Sequence, residues 1–203
     1  MPRDSTETRS RLLDEAERLF AEKGVWTVTN REITEAAEQK NVSALNYHFG
    51  SRSNLLGAVL ARRGEALDVE RARLGAELGE QASTRALVHL LVEVYAGCLA
   101  TEHGRHYVRI VDQLRAGLTD WRAGPASSDR HLQRVLELLE ERPDAKPEVR
   151  SQRLVAMMML MTGMTAARAQ HLVDGVELDL DHDAFVTSLT DMLVGVLLSL
   201  IHI

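Results

Sequence analysis

Apolar residues recur along this chain at intervals of three and four, the period of helices with one buried face. Leu12, Leu13, Ala16, Leu19 and Phe20 predict a first helix, capped at Ser5 or Thr6 and running to about Lys23. Gly24 is placed to end it as a left-handed residue, with Val25 and Trp26 tucked beneath. Thr29 then opens a second helix through a Thr-x-x-Glu capping box with Glu32, and Ile33, Ala36 and Ala37 form its inner face. A turn over residues 38–41 leads to a short third helix, about 42 to 49, anchored by Leu45 and Phe49. Gly50 breaks that helix, and Ser51 caps a fourth that reaches the upper 70s. The fourth starts apolar at Leu55, Leu56, Val59 and Leu60, then turns charged from Glu65 to Arg73, as a helix connecting two domains does.

Beyond Gly79 the periodicity continues in longer units. Ser83 or Thr84 caps a helix through Leu87, Leu90, Leu91, Val94 and Cys98, and another runs from about Arg105 through Leu114. The pattern lapses over residues 117–128, where Gly124-Pro125 marks a loop. Ser127 or Ser128 caps the next helix, which stops before Pro143. Pro147 suits the first turn of a long helix to about Val173, and Asp181 or Asp183 opens a last one. The prediction is an all-α chain of about nine helices, with no convincing strand and no internal repeat. It divides into residues 1–50, an N-terminal three-helix unit, and residues 51–203, with 51–78 as the connecting helix.

Composition sharpens this picture at three points. Hydrophobic residues make up 45% of the 203, enough for a substantial core, yet aromatics are only 4%, so leucine, alanine, valine and methionine must fill it. One cysteine, Cys98, excludes an internal disulfide and fits a reducing cytosol. The net charge of −6 is uneven: residues 1–63 hold ten Lys/Arg against nine Asp/Glu, and residues 64–203 hold fourteen against twenty-one. The acidity therefore belongs to the second part, and the first is free to meet phosphates. The opening residues are polar, unlike a secretory leader, and the apolar run over 192–203 is about half of the roughly 20 residues a membrane span needs. A cytoplasmic protein is expected, with no membrane partner and no cofactor.

Residues 29–56 carry the chemistry that core packing leaves unexplained. The third helix is too short to be stable alone, yet it presents Asn, Ser, Ala, Asn, Tyr and His. Lys40, Asn41, Ser43, Ala44 and Asn46 lie at its start and on its outer face, where asparagine can pair with adenine and alanine can meet a thymine methyl. Arg31 is placed to reach a guanine or a phosphate. Thr29, Tyr47, His48 and Arg52 suit phosphate oxygens, and the helix starts capped by Thr29 and Ser51 add backbone amides. A solvated surface hairpin is the plainer reading of each residue singly; together they point to double-stranded DNA.

The succession T-x-R-E-I-x-x-A-A, a short helix ending Y-H-F-G-S-R, and an L-L start to the fourth helix resembles the TetR family of bacterial transcriptional regulators. The resemblance spans roughly residues 9–62 and rests on Thr29, Arg31, Ile33, Ala36, Ala37, Tyr47, His48, Phe49, Arg52, Leu55 and Leu56. It implies a homodimer that places two reading helices in successive major grooves of a palindromic operator. It also implies a repressor function, with a small-molecule effector in the helical body releasing the DNA, and association with the nucleoid when bound. Two departures stand out: Glu38 replaces the usual glycine after the paired alanines, and the turn is one residue longer. Ser43, Ala44 and Asn46 also differ from the commoner pattern, so base assignments do not transfer.

In the body, the last helix is apolar nearly all round, which calls for cover on several sides. With the long helix before it, it is the expected dimer surface, using Met157, Met164, Leu189, Met192, Leu193, Val196, Leu197 and Leu200. His89, Tyr95, Tyr107, Trp121, His131, Met158 and Met161 are the candidate effector-binding groups, though the methionines equally suit core packing. His103 and His106 have a spacing that can hold a metal, but no neighbouring cysteine or carboxylate pair completes the set, and a solvated helix start is expected instead, with no metal. An all-α enzyme using His103, His106 or Asp112 for acid–base work lacks a nucleophile–base pair or phosphate loop, so no enzyme is expected. A purely structural dimerisation module leaves residues 41–52 unexplained.

Overall fold

The computed structural model describes residues 5–39, 41, 43–79, 81–123 and 130–199, with the side chains of 120–123 outside the description. Among the described residues there are nine α-helices and no strand: α1 (Ser5–Lys23), α2 (Asn30–Ala36), α3 (Ser43–Phe49), α4 (Arg52–Leu78), α5 (Thr84–Ala96), α6 (Glu102–Gln113), α7 (Arg130–Glu140), α8 (Pro147–Asp174) and α9 (His182–Leu198). The all-α expectation stands. Two details differ from the sequence reading. Thr101 caps α6 through its hydroxyl, which accepts the Gly104 amide at 3.0 Å, so the helix starts at Glu102 and not near Arg105. Residues Arg115–Ala123, inside the stretch where periodicity lapsed, form a 3₁₀ segment.

Two separate cores organise these helices. The first gathers Leu12, Ala16, Leu19 and Phe20 of α1, Ile33 of α2, Leu45 and Phe49 of α3, and Leu55 and Val59 of α4. The second holds the apolar faces of α5, α7, α8 and α9, including Leu91, Leu139, Leu154, Met157, Leu189 and Leu193. α4 contributes to both, with Leu55 and Val59 in the first and Leu67 and Leu74 packed against the second. Its buried Asp68 accepts the backbone amides of His131 and Leu132, which satisfies the otherwise orphaned N-terminus of α7.

α6 is the second bridge between the cores, packing on α8 and on α1. Its Ile110 is fully buried in the first core, while its Val108 belongs to the second. Gln113, at its end, receives the Val25 amide on Oε1 at 2.6 Å and donates from Nε2 to the Phe20 carbonyl at 3.0 Å. One side chain thus satisfies two backbone groups where α1 stops. The other end of α6 approaches so closely that a Cβ on Gly104 would stand 1.9 Å from the Cys98 carbonyl oxygen. Only glycine fits there.

Candidate nucleic-acid interface

The reading unit is built from caps and small inner residues. Thr29 accepts the Glu32 amide at 3.2 Å, and the Glu32 carboxylate accepts the Thr29 amide at 2.8 Å, so the predicted capping box is present. α2 ends in a Schellman motif: Glu38 N–H donates to the Glu35 carbonyl and Gln39 N–H to the Thr34 carbonyl. That motif demands a left-handed residue, and Glu38 supplies it at φ 56°, a conformation that glycine adopts without steric cost. Arg11 holds its exposed carboxylate at 3.0 Å. Asn41 then accepts the Ser43 amide on its side-chain oxygen at 2.9 Å, a local turn that starts α3. Lys40 and Val42 lie outside the described residues.

On α3 the helical period separates two jobs. Leu45 is fully buried and Phe49 nearly so, locking the helix against α1, α2 and α4. Ser43, Asn46 and Tyr47 share the opposite, exposed face, and Tyr47 is 79% exposed with its ring edge-on to His48 at 5.0 Å. Ala44 and His48 are half-buried at the flanks. Arg31 is exposed and paired with Glu35, one turn on, at 2.7 Å. Thr29 is exposed at the α2 start, with its hydroxyl engaged in the cap.

Two placements depart from the sequence reading. Arg52, expected on phosphate, turns inward: it donates to the Val25 carbonyl at 2.6 Å and to Asn30 Oδ1 at 3.0 Å, with its guanidinium 5.0 Å from the Phe20 ring centre. Burial lowers its pKa accordingly. Trp26 does not tuck under α1 with the buried Val25; it is 77% exposed, because the turn after Gly24 (φ 106°) carries it outward.

The body candidates also sort by position. Tyr95 is buried, its hydroxyl has no hydrogen-bond partner, and burial pushes its phenol well above the usual value. Tyr107 packs edge-on to it at 6.3 Å. Met158 and Met161 are buried in the same core. His89 and His131 are exposed and so do not line the interior; His89 lies 3.4 Å from Thr190 on α9. The Trp121 side chain lies outside the described residues. Cys98 is buried, and burial pushes its thiol up to about 11, which disfavours the reactive thiolate.

For the dimer surface, Met157, Leu189, Leu193 and Leu197 are fully buried within a single chain and are not available to a partner. Met164 and Met192 are exposed and Val196 is half-buried, while Leu200 lies outside the described residues. A largely apolar groove of about 760 Å³ runs between α8 and α9. Val149, Ala156 and Leu160 line it from α8, and Met192 and Val196 from α9. No described helix is long and apolar enough to cross a membrane.

A helix-turn-helix unit with an exposed polar face on α3, joined by α4 and α6 to an all-helical body, defines the architectural class. Residues 12–59 match the family model of bacterial regulatory proteins, tetR family. Among solved structures the chain resembles NalD, the secondary repressor of the MexAB-OprM multidrug efflux pump in Pseudomonas aeruginosa. The match has 22% identity and a TM-score of 0.61, covering 97% of this chain and 98% of that one. A TetR-like transcriptional regulator from Rhodococcus sp. RHA1 matches at 20% identity and TM-score 0.58, over 93% and 94% of the two chains. A TetR-family regulator from Streptomyces coelicolor A3 matches at 18% and 0.54, over 97% of each. The search of curated proteins gave no match. Residues 12–59 thus match the N-terminal unit of the TetR family, and the fold of the chain follows that of solved TetR-family regulators along nearly its whole length.

Proposed function

We propose that this chain is a sequence-specific DNA-binding transcriptional regulator, a dimeric repressor released from a palindromic operator by a small molecule. The observation that carries the reading is the division of labour on α3. A seven-residue helix held by Leu45 and Phe49 spends its exposed face on Ser43, Asn46 and Tyr47, which do nothing for the fold. In a major groove that face meets base edges, with Asn46 and Ser43 donating and accepting and Ala44 beside thymine methyls. Tyr47, His48 and the amides at the α2 start take phosphates. Arg31 leaves an exposed pair with Glu35 at little cost to join them. Asn41 and Arg52 hold the reading helix in place, one as a turn residue and one as an internal latch.

The test is fluorescence anisotropy with the promoter fragment of the chain's own gene neighbourhood, over a range of salt. Binding weakens steeply with salt in the wild type, and Asn46→Ala with Tyr47→Ala together removes sequence preference, each base contact being worth about 1–3 kcal/mol. Retention of specific binding by the double variant would overturn the assignment. Arg52→Ala lowers the stability of the folded unit but leaves the salt slope unchanged. A true phosphate contact would cut the slope by about one.

Operator palindromy needs two copies of the chain, and the α8–α9 groove is the face we assign to the partner. The effector belongs in the body, where Tyr95 Oη, Arg71 Nε and Thr165 Oγ1 are buried without partners. A ligand that favours the spacing unable to reach both half-sites by a few kcal/mol is sufficient to empty the operator. The resemblance to NalD and to the multidrug binding protein EbrR, the latter at TM-score 0.50, supports looking first among hydrophobic drug-like compounds.

A further inference from the structure

Glu17 occupies an unusual position for a carboxylate. It lies on the inner side of α1 with its side chain 1% exposed. Its Oε1 is 2.7 Å from Nδ1 of His103, and its Oε2 has no hydrogen-bond partner. The nearest cation, Arg62, stands 3.8 Å from Oε2 but is committed to Asp14 at 2.6 Å. A second imidazole faces the same carboxylate: His106 Nδ1 is 4.0 Å from Oε1, its side chain is 8% exposed, and that nitrogen is unpartnered. A buried carboxylate oxygen and a buried ring nitrogen, each without a hydrogen-bond partner, are costly unless something bonds them.

We infer that Glu17, His103 and His106 form a binding site for a divalent transition ion of the zinc type, clamped between α1 and α6. The three ligand atoms lie within 4.8 Å of one another. Bonds of about 2.0–2.2 Å to nitrogen and oxygen set neighbouring ligands roughly 3.3 Å apart in a tetrahedron. Seating the ion thus requires the Glu17–His103 contact to open and the Glu17–His106 contact to close, each by well under an ångström, and the two imidazole nitrogens, up to 4.8 Å apart, to approach by as much as about 1.5 Å. His103 and His106 share a helix face at an i, i+3 spacing, and their rings stand at 90° with centres 6.2 Å apart. Two imidazoles and one carboxylate favour zinc, cobalt or nickel over the oxygen-seeking magnesium and calcium. The exposed side at His103 leaves the fourth position to solvent.

The site joins two parts of the molecule. Glu17 belongs to the helix that supports the reading unit, and both histidines to the helix that enters the body core. A bound ion therefore fastens α1 to α6 at the end opposite Gln113.

The test is titration of the metal-free full chain with Co²⁺, followed by its visible d–d absorption, then displacement by Zn²⁺. The expected result is one ion per chain, with an absorption intensity typical of four-coordination. His103→Ala, with its helical content checked by circular dichroism because the change also removes a partner of Glu17, weakens binding by more than ~100-fold, beyond the range for losing an outer partner of a metal site. Glu17→Gln does the same with little change of shape, and His182→Ala, on the distant α9, binds as the wild type does. Zn²⁺ raises the thermal midpoint of the wild type and not of His103→Ala. Absence of saturable binding, or equal binding by His103→Ala, overturns the inference and leaves the trio as an ion-pair contact only.

Discussion

Glu32 shows how far a single side chain can be read from spacing alone. Thr29 and Glu32 stand three apart, and the capping box they form is present in the fold. The Thr29 amide, then Lys23 at 3.0 Å and the Thr29 hydroxyl, hold the Glu32 carboxyl down from the usual 4.5 to about 2. Because the folded value is the lower one, the box contributes fully above 4.5, and the contribution is lost as pH falls from there through about 2. Carboxyl NMR should find Glu32 titrating near 2, with Thr29→Ala moving it up toward 4.5; a wild-type value already at 4.5 would mean that no box forms in solution. Glu38 is the contrasting case. Its residue type argues against a left-handed turn, yet the Schellman closure of α2 imposes one. Glu38→Gly relieves roughly 1–2 kcal/mol of backbone cost, offset by up to about 1 kcal/mol of chain entropy and by little for the exposed Arg11 pair. Chemical denaturation should therefore show Glu38→Gly equal to or slightly more stable than wild type. Glu38→Val, β-branched at a positive φ, should be clearly less stable.

At the level of elements, α6 matters most and was read least completely. Periodicity marked its apolar residues, but nothing local distinguished Ile110, buried with α1, from Val108, buried with the body. Gln113 looks like an ordinary polar residue near a helix end; its importance comes from two backbone groups 88 and 93 residues away. Gln113→Ala leaves the Val25 amide and the Phe20 carbonyl without their partner, and should cost about 1–3 kcal/mol for the first core. Hydrogen exchange should then rise at the end of α1 and around Val25 while α8 and α9 keep their protection. Uniform loss of protection would mean that the two cores unfold as one. Gly104 teaches the same lesson, since its necessity is visible only once the Cys98 carbonyl is placed beside it.

For the molecule as a whole, the all-round apolarity of α9 has two causes that sequence could not separate. Phe185, Leu189, Leu193 and Leu197 are covered by α5 and α8 of the same chain, and Met192 and Val196 face the open groove. The proposed dimer makes these two sets behave differently. Met192→Glu should keep the fold and its thermal midpoint but scatter light as a 22.6 kDa monomer. Leu193→Glu, burying a charge in the core, should fail to fold stably. A Met192→Glu protein that remains dimeric would place the interface elsewhere.

What the sequence determined by itself is what depends on near neighbours: nine helices with most of their caps, the capping box, the turn into α3, and the separation of Leu45 and Phe49 from the exposed Ser43, Asn46 and Tyr47. Helical period and capping are local, so four to seven residues suffice to state them. Only the tertiary structure decided which apolar stripe is core and which is open, that Arg52 turns inward while Trp26 turns out, and that Glu17 meets His103 and His106. Those outcomes depend on helix ends and faces brought together from opposite parts of the chain, and no spacing along it encodes them.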